Sequence, residues 1–253
     1  MKIVVIGGTG LVGSKVVALL SEHGHEAIAA SPNSGVNTLT GQGVDAALTG
    51  ADVVVDVSNS PSFEDKAVMD FFTTSTNTLL AAERRAGVGH HIALSVVGSE
   101  RMTESGYMRA KLAQEKLIEE SGIPFSIVHA TQFFEFVKSI ADAATVDGTV
   151  RLAPVHIAPM AAADVSTAVA RAAAGTPSNT VHKVRGPEEF LLTDLIRRGL
   201  TARHDERTVV ADPESRYFGA LLTDRELVPG PDAEIFATTF DQWLAQQAAA
   251  PVR

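Results

Sequence analysis

A chain of 253 residues is long enough to bury a core, and 45% apolar with 20% charged residues is an ordinary soluble globular composition. The formal net charge of -9 removes any general attraction to nucleic-acid phosphates or anionic lipid, and no Lys/Arg run supplies a local one. With no cysteine, disulfides, thiolate nucleophiles, thiolate zinc sites and iron–sulfur clusters are excluded. No apolar stretch is long enough to cross a bilayer, and Ile3 to Ile6 is too short for a signal-peptide core. The expectation is a cytoplasmic protein that engages neither membrane nor nucleic acid.

Lys2 to Ile6 (KIVVI) is a β-branched run, as in a strand buried on both faces of a parallel sheet. Gly7 to Gly13 follow, then a helical stripe through Val16, Val17, Leu19 and Leu20 that Gly24 ends. His25 to Ala30 reads as a second strand, Ser31 to Gly43 as a polar loop and Asp45 to Leu48 as a short helical turn. Asp52 to Val57 is a third strand, Pro61 to Ala86 one long helix, and the run from His90 a fourth strand. Ser105 to Ser121 is helical and Phe125 to His129 a strand. Strict alternation of strand and helix predicts right-handed parallel βαβ units, an α/β fold.

Beyond Phe133 the spacing predicts a helix near Phe134 to Ala144 and strands at Thr149 to Leu152 and His156 to Met160. A helix from Asp164 to Ala174, a strand at Val181 to Val184 and helices at Leu192 to Arg203 and Asp232 to Gln247 complete the reading. There is no repeat and no linker. A single domain is expected over 1–253, with 146–253 adding a small α/β lobe on the substrate side.

The chemistry starts at GGTGLVG, which spaces Gly7, Gly10 and Gly13 as G-x-x-G-x-x-G between a buried strand and a helix. In that context the glycines allow a sharp turn, close backbone approach to a pyrophosphate and tight helix packing. Amide N–H groups and the helix dipole then face the phosphates. The loop lacks the Gly-Lys-Ser/Thr ending of a nucleotide-hydrolysing P-loop. At the end of the second strand, Ser31, Asn33 and Ser34 stand where a ribose-binding acid marks NAD sites. The missing acid removes repulsion against a 2′-phosphate and favours NADP, with NAD as the alternative; no arginine stands there to bind that phosphate, and Ser31, Asn33 and Ser34 would supply neutral hydrogen bonds.

Tyr107 and Lys111 are one helical turn apart, so they share a face. An ammonium beside a phenol is expected to lower the tyrosine pKa and make it a proton donor or acceptor for a carbonyl or alcohol. Ser95 ends the preceding strand, where its hydroxyl can meet a substrate oxygen. Gln132 and Phe133 follow a strand end and are candidate pocket walls, while core packing suits Phe134 and Phe136 equally well. His90 and His91 should point to opposite faces near the strand entry, and His129 and His156 have no ligand-spaced partner. No metal site is expected. Asp164 reads as a helix-start acid, and Arg197, Arg198 and Arg203 as a solvated face.

With GGTGLVG, DVSNS from Asp56, HHIALSVVG and YMRAKLAQEKLIEESGIPFSIVHATQFFEF in hand, the chain resembles the atypical, NmrA-like branch of the short-chain dehydrogenase/reductase superfamily. The resemblance runs from Met1 to about Asp164. It implies a Rossmann-type doubly wound parallel sheet and NADP(H) use. By position it implies a pyrophosphate cradle of Gly7, Thr9, Gly10, Leu11, Val12 and Gly13. Val57, Ser58 and Asn59 would line the path to the nicotinamide, and Ser95, Tyr107 and Lys111 would form the reactive set, with Lys111 reaching the ribose. The expected activity is hydride transfer between nicotinamide and a carbonyl or quinone-like substrate. A non-catalytic NADP(H)-binding sensor and an NAD(P)-dependent epimerase or isomerase are the other readings. Substrate identity and oligomeric state are left open.

Overall fold

The computed structural model describes residues 1–249. Its central sheet has seven parallel strands. Five of them alternate with helices: β1 (Lys2–Ile6), β2 (Glu26–Ala30), β3 (Val53–Asp56), β4 (His90–Val96) and β5 (Phe125–Ala130). Three short strands follow, β6 (Thr145–Val146), β7 (Thr149–Leu152) and β8 (His156–Ile157). Then come β9 (Val181–Arg185), β10 (Phe190–Leu191), β11 (Thr208–Ala211), the hairpin β12 (Arg216–Tyr217) and β13 (Ala220–Leu221), and β14 (Glu234–Ile235). The sheet order is β14-β9-β5-β4-β3-β1-β2.

Successive residues of a strand point to opposite faces, and both faces of this sheet are apolar. Ile3, Val5, Val53, Val55 and Ile92 pack under α1 (Gly13–Glu22) and α6 (Ala162–Ala174), against Val16, Leu20, Val165 and Val169. On the other face Val4, Ile6 and Val54 meet Leu48 of α2 (Val44–Leu48) and Leu79 of α3 (Asp65–Ala86). Ala93 and Ile127 meet Ile118 of α4 (Gly106–Glu119) on that same side. This is the doubly wound Rossmann-type arrangement, which places ligands at the C-terminal strand ends.

The later elements assemble a second cluster. Phe134, Ile140 of α5 (Val137–Ala143), Leu152, Leu195 and Leu200 of α7 (Leu192–Thr201), and Phe240 and Trp243 of α8 (Phe240–Ala249) form its core. The three-stranded β11-β7-β6 sheet and the β12–β13 hairpin flank it.

Several boundaries depart from the sequence expectation. The helix expected from Asp232 is edge strand β14 beside β9, and α8 starts only at Phe240. Its start is a capping box: Thr239 Oγ1 accepts from the Gln242 amide and Gln242 Oε1 accepts from the Thr239 amide. The helix expected from Pro61 begins at Asp65, and the strand expected to reach Met160 ends at Ile157. His90 and His91 do face opposite ways, yet both are buried: His90 beside Ser126, at 2.9 Å, and His91 on Glu83, at 2.8 Å. The arginines are not merely solvated: Arg197 pairs with Asp194, Arg198 with Asp241, and Arg203 lies over the Trp243 ring. Asp164 sits in the first turn of α6 and ties down Thr238.

Candidate active site

A cleft of about 920 Å³ opens at the C-terminal ends of the strands. Its wall begins at Gly7, Thr9, Gly10, Leu11, Val12 and Gly13, continues past Ser31 to Val57, Ser58 and Asn59, and reaches Ser95, Tyr107 and Lys111. Gln132 and Phe133 line the far side, with Tyr217 and Phe218 of the β12–β13 hairpin region closing it. Most of the residues singled out in the sequence therefore share one cavity. Asn33 and Ser34 do not join it. Asn33 is exposed on a 3-10 turn, and the Ser34 hydroxyl donates back to the Ser31 carbonyl at 2.9 Å. Asn37 and Thr38, which carried no motif, line the cleft in their place.

The loop geometry depends on two glycines. Gly7 holds φ +77°, a left-handed conformation, and a Cβ there would lie 2.9 Å from the Ser58 amide nitrogen. A Cβ on Gly13 would sit 2.2 Å from the Gly7 carbonyl oxygen, so the start of α1 packs directly on the glycine loop. That turn carries no acidic side chain. Farther along the wall, buried polar atoms lack partners. Among the described residues the Ser31 and Thr131 hydroxyls have none, and the Gln132 amide, with Tyr217 beside it, makes no hydrogen bond of good geometry. Orphaned buried polar groups cost free energy until a partner meets them.

Tyr107 and Lys111 share a face of α4 but not a proton. Burial pushes the Tyr107 phenol up to about 12, the reverse of the lowering expected from its neighbour. Lys111 is engaged elsewhere. Its ammonium donates to the Leu94 carbonyl at 2.8 Å and to Gln114 Oε1, and it rests 4.3 Å from the centroid of Phe72. The Phe72 ring in turn stands edge-on to Tyr107, with centroids 6.0 Å apart. Burial brings the Lys111 ammonium down to about 8, partly offset by Asp56 and Glu115.

Ser95 is likewise engaged: its hydroxyl donates to Glu115 Oε1. The same oxygen lies 3.0 Å from His129 Nε2, off the axis of a good hydrogen bond. Asp56 Oδ1 accepts from the Ser58 amide and hydroxyl, at 2.9 and 2.6 Å, and Asp56 Oδ2 accepts from Gln114 Nε2 at 3.0 Å. Asp56, Gln114, Glu115 and His129 were missed by motif reading. A signal existed: Lys111, Gln114, Glu115 and Ile118 follow Tyr107 at the i, i+4, i+7, i+8, i+11 spacing of a buried helix stripe. His129 and His156 each gain one carboxylate in space, Glu115 and Asp224, and no group of three potential metal ligands forms among the described residues. No helix among the described residues is long and apolar enough to cross a membrane. Phe134 is core, whereas Phe136 stacks on Phe133 at 5.1 Å and faces the cleft.

No known family profile matches the chain. Over 149 residues, 53% of the chain, it is 26% identical to photosystem II assembly factor Ycf39 of Cyanophora paradoxa. That match covers 46% of the relative, so the chain spans about half of its length. Among solved structures, the Bordetella bronchiseptica enzyme WbmH in complex with NAD+ aligns with TM-score 0.69 and 14% identity, over 88% of this chain and 89% of that one. Escherichia coli NADPH-dependent quinone oxidoreductase QOR2, complexed with NADPH, aligns with TM-score 0.65 and 20% identity over 83% and 77%. A nucleoside-diphosphate-sugar epimerase from Staphylococcus aureus aligns with TM-score 0.70 and 15% identity over 96% and 99%. The likeness is one of fold. It is the Rossmann-type fold of these proteins.

Proposed function

We propose that the chain is a cytoplasmic, NmrA-like member of the short-chain dehydrogenase/reductase superfamily. In this reading it is an NADP(H)-dependent oxidoreductase, with NAD(H) as the alternative cofactor, acting on a carbonyl or quinone-like small molecule. The observation that carries the reading is the single cleft joining the glycine loop to Ser95, Tyr107 and Lys111. The residues fit a dinucleotide. Gly7 and Gly13 let the loop close tightly against Ser58 and the start of α1, and the unpartnered Ser31 hydroxyl offers a ribose contact. Thr131 and Gln132 supply unspent polar atoms deeper in. When bound, the nicotinamide would supply hydride chemistry.

The chain's own residues supply orientation. Tyr107, kept neutral by burial, donates its hydroxyl proton in a hydrogen bond to the substrate oxygen. Phe63 packs on Tyr107 at 5.5 Å, and with Phe133 and Phe136 it makes an apolar wall suited to a flat body. The test is Tyr107→Phe. It should abolish consumption of NADPH with a panel of quinones and aromatic aldehydes while leaving NADPH binding by calorimetry near wild type. Unchanged turnover would refute the assignment. One observation favours a sensor instead: Lys111 and Ser95 are already tied to protein partners. Tight NADPH binding without consumption of any panel member would select that reading.

A further inference from the structure

A serine hydroxyl has one proton to give and two lone pairs to offer. In this cleft the Ser95 proton is spent on Glu115, so Ser95 presents the cavity with an acceptor and not with the donor a carbonyl oxygen needs. Tyr107 on the same wall keeps its proton and can donate it. A hydroxyl group satisfies both sides at once, accepting from Tyr107 and donating to Ser95, whereas a ketone satisfies only one.

Behind Ser95, Glu115 is buried. Burial alone would favour its neutral form, but His129 from β5, the Ser95 hydroxyl from β4 and Lys111 from its own helix outweigh that and hold the carboxyl below its ordinary value. Asp56 from β3 faces Lys111 through Gln114 and completes the charged surroundings. A buried, ionised carboxylate therefore sits one hydroxyl away from the cavity and already accepts the Ser95 proton in a hydrogen bond. We infer that Ser95 and Glu115 form a proton relay for a substrate hydroxyl: Ser95 Oγ takes the hydroxyl proton while its own proton passes to Glu115 Oε1.

The inference rests on the dinucleotide reading, which supplies the electron acceptor. The balance is that of a secondary-alcohol oxidation. The substrate O–H bond breaks as a proton that ends on Glu115, the C–H bond breaks as hydride taken by the oxidised nicotinamide dinucleotide, and the C=O bond forms. Glu115 never touches substrate; it is a positioning and relay residue acting through Ser95. The substrate class is a secondary alcohol carried on an apolar, ring-containing body, because Phe63, Phe133, Phe136 and Phe218 face the cavity.

The experiment measures binding rather than turnover. The full chain is first titrated with NADP+ and NAD+ by calorimetry. The protein saturated with whichever binds is then titrated with 1-(2-naphthyl)ethanol and with the matching ketone, 2-acetonaphthone. The wild type should bind the alcohol about tenfold more tightly, the worth of one hydrogen bond to a charge-backed acceptor. Ser95→Ala and Glu115→Leu, the latter leaving the Ser95 proton free to donate into the cavity, should bring the alcohol-to-ketone ratio close to one, whereas Glu115→Gln, whose amide oxygen still accepts that proton, should keep part of the preference. A merely structural role for Glu115 would weaken both ligands together and leave the ratio unchanged in Glu115→Leu, which would overturn the relay. Dinucleotide binding combined with no alcohol preference in the wild type overturns the relay alone. Failure to bind either dinucleotide overturns the cofactor reading and the relay with it.

Discussion

Lys111 offers the sharpest quantitative test of the buried polar layer. Its ammonium is brought down to about 8 by burial, against the 10.5 of a solvated lysine. The folded chain thus releases this proton near pH 8, while the unfolded chain keeps it until about pH 10.5. Where the unfolded state binds more protons, stability rises with pH. Below pH 8 the burial cost is fully present, and it is relieved as pH climbs through the window between the two values. Integrating over about pH 7 to about pH 9.5 gives the wild type a gain of about 2 kcal/mol from this one residue. Lys111→Met removes the titration. It also strands the Leu94 carbonyl and Gln114 Oε1, but that loss is the same at every pH and shifts only the offset. Urea unfolding of both proteins across the range, plotted as a difference, should show the gain as a slope, since other titrating groups cancel. Parallel curves within about 0.5 kcal/mol would refute the claim that the ammonium is charged and buried in the fold.

Gly13→Ala should cost about 1–3 kcal/mol, because its Cβ must displace the Gly7 carbonyl from 2.2 Å, and it should weaken dinucleotide binding measured by calorimetry. Phe134→Ala should cost about 3–5 kcal/mol in thermal unfolding, since the ring is fully buried against Phe240 and Trp243, while NADPH binding persists. His91 is held above its ordinary pKa, burial being outweighed by Glu83 and Asp56. Its stabilisation is therefore complete below about pH 6.5 and lost as pH rises through the higher folded value. Glu83→Gln should remove that decline from the stability-versus-pH profile, and an unaltered decline would assign it to another group.

The sheet was legible because its strands are apolar on both faces and separated by glycines: KIVVI, DVVVDV and FSIVHA could hardly be anything else in an alternating chain. The glycine loop was legible for the same local reason. What stayed hidden was long-range. Asn37 and Thr38 reach the cleft only because the Pro32–Ser34 turn folds the loop back, which no short motif encodes. β14 pairs with β9 across many intervening residues, and Glu234–Ile235 alone is too short to show a period. The Tyr107 expectation failed on direction rather than placement. Helical spacing puts Lys111 on the right face, but the Phe72 ring and Gln114, from α3 and α4, decide where its ammonium points.

The sheet face under α3 and α4 is where this chain departs from an economical core. Strand register places Asp56 beside Ala93 and Ser95 beside His129, and the even spacing from Ala93 to Ser95 puts all of them on that one face. Lys111, Gln114 and Glu115 of α4 meet them there, in a stripe where leucines would pack without desolvation cost. Each such group needs a partner, and the partners form two branches: Ser58–Asp56–Gln114–Lys111 and Ser95–Glu115–His129. Both branches end on side chains that line the cleft, Ser58 and Lys111 in one and Ser95 in the other. The His91–Glu83 pair, nearer the start of β4, shares the burial but reaches no cavity residue. A layer built only for stability would have no reason to place its polar ends at the cavity. The two branches feel each other's charge through Lys111 and Glu115, and both surface at the cavity, which places Glu115 beside the Tyr107–Lys111 pair as a group able to act on a ligand there.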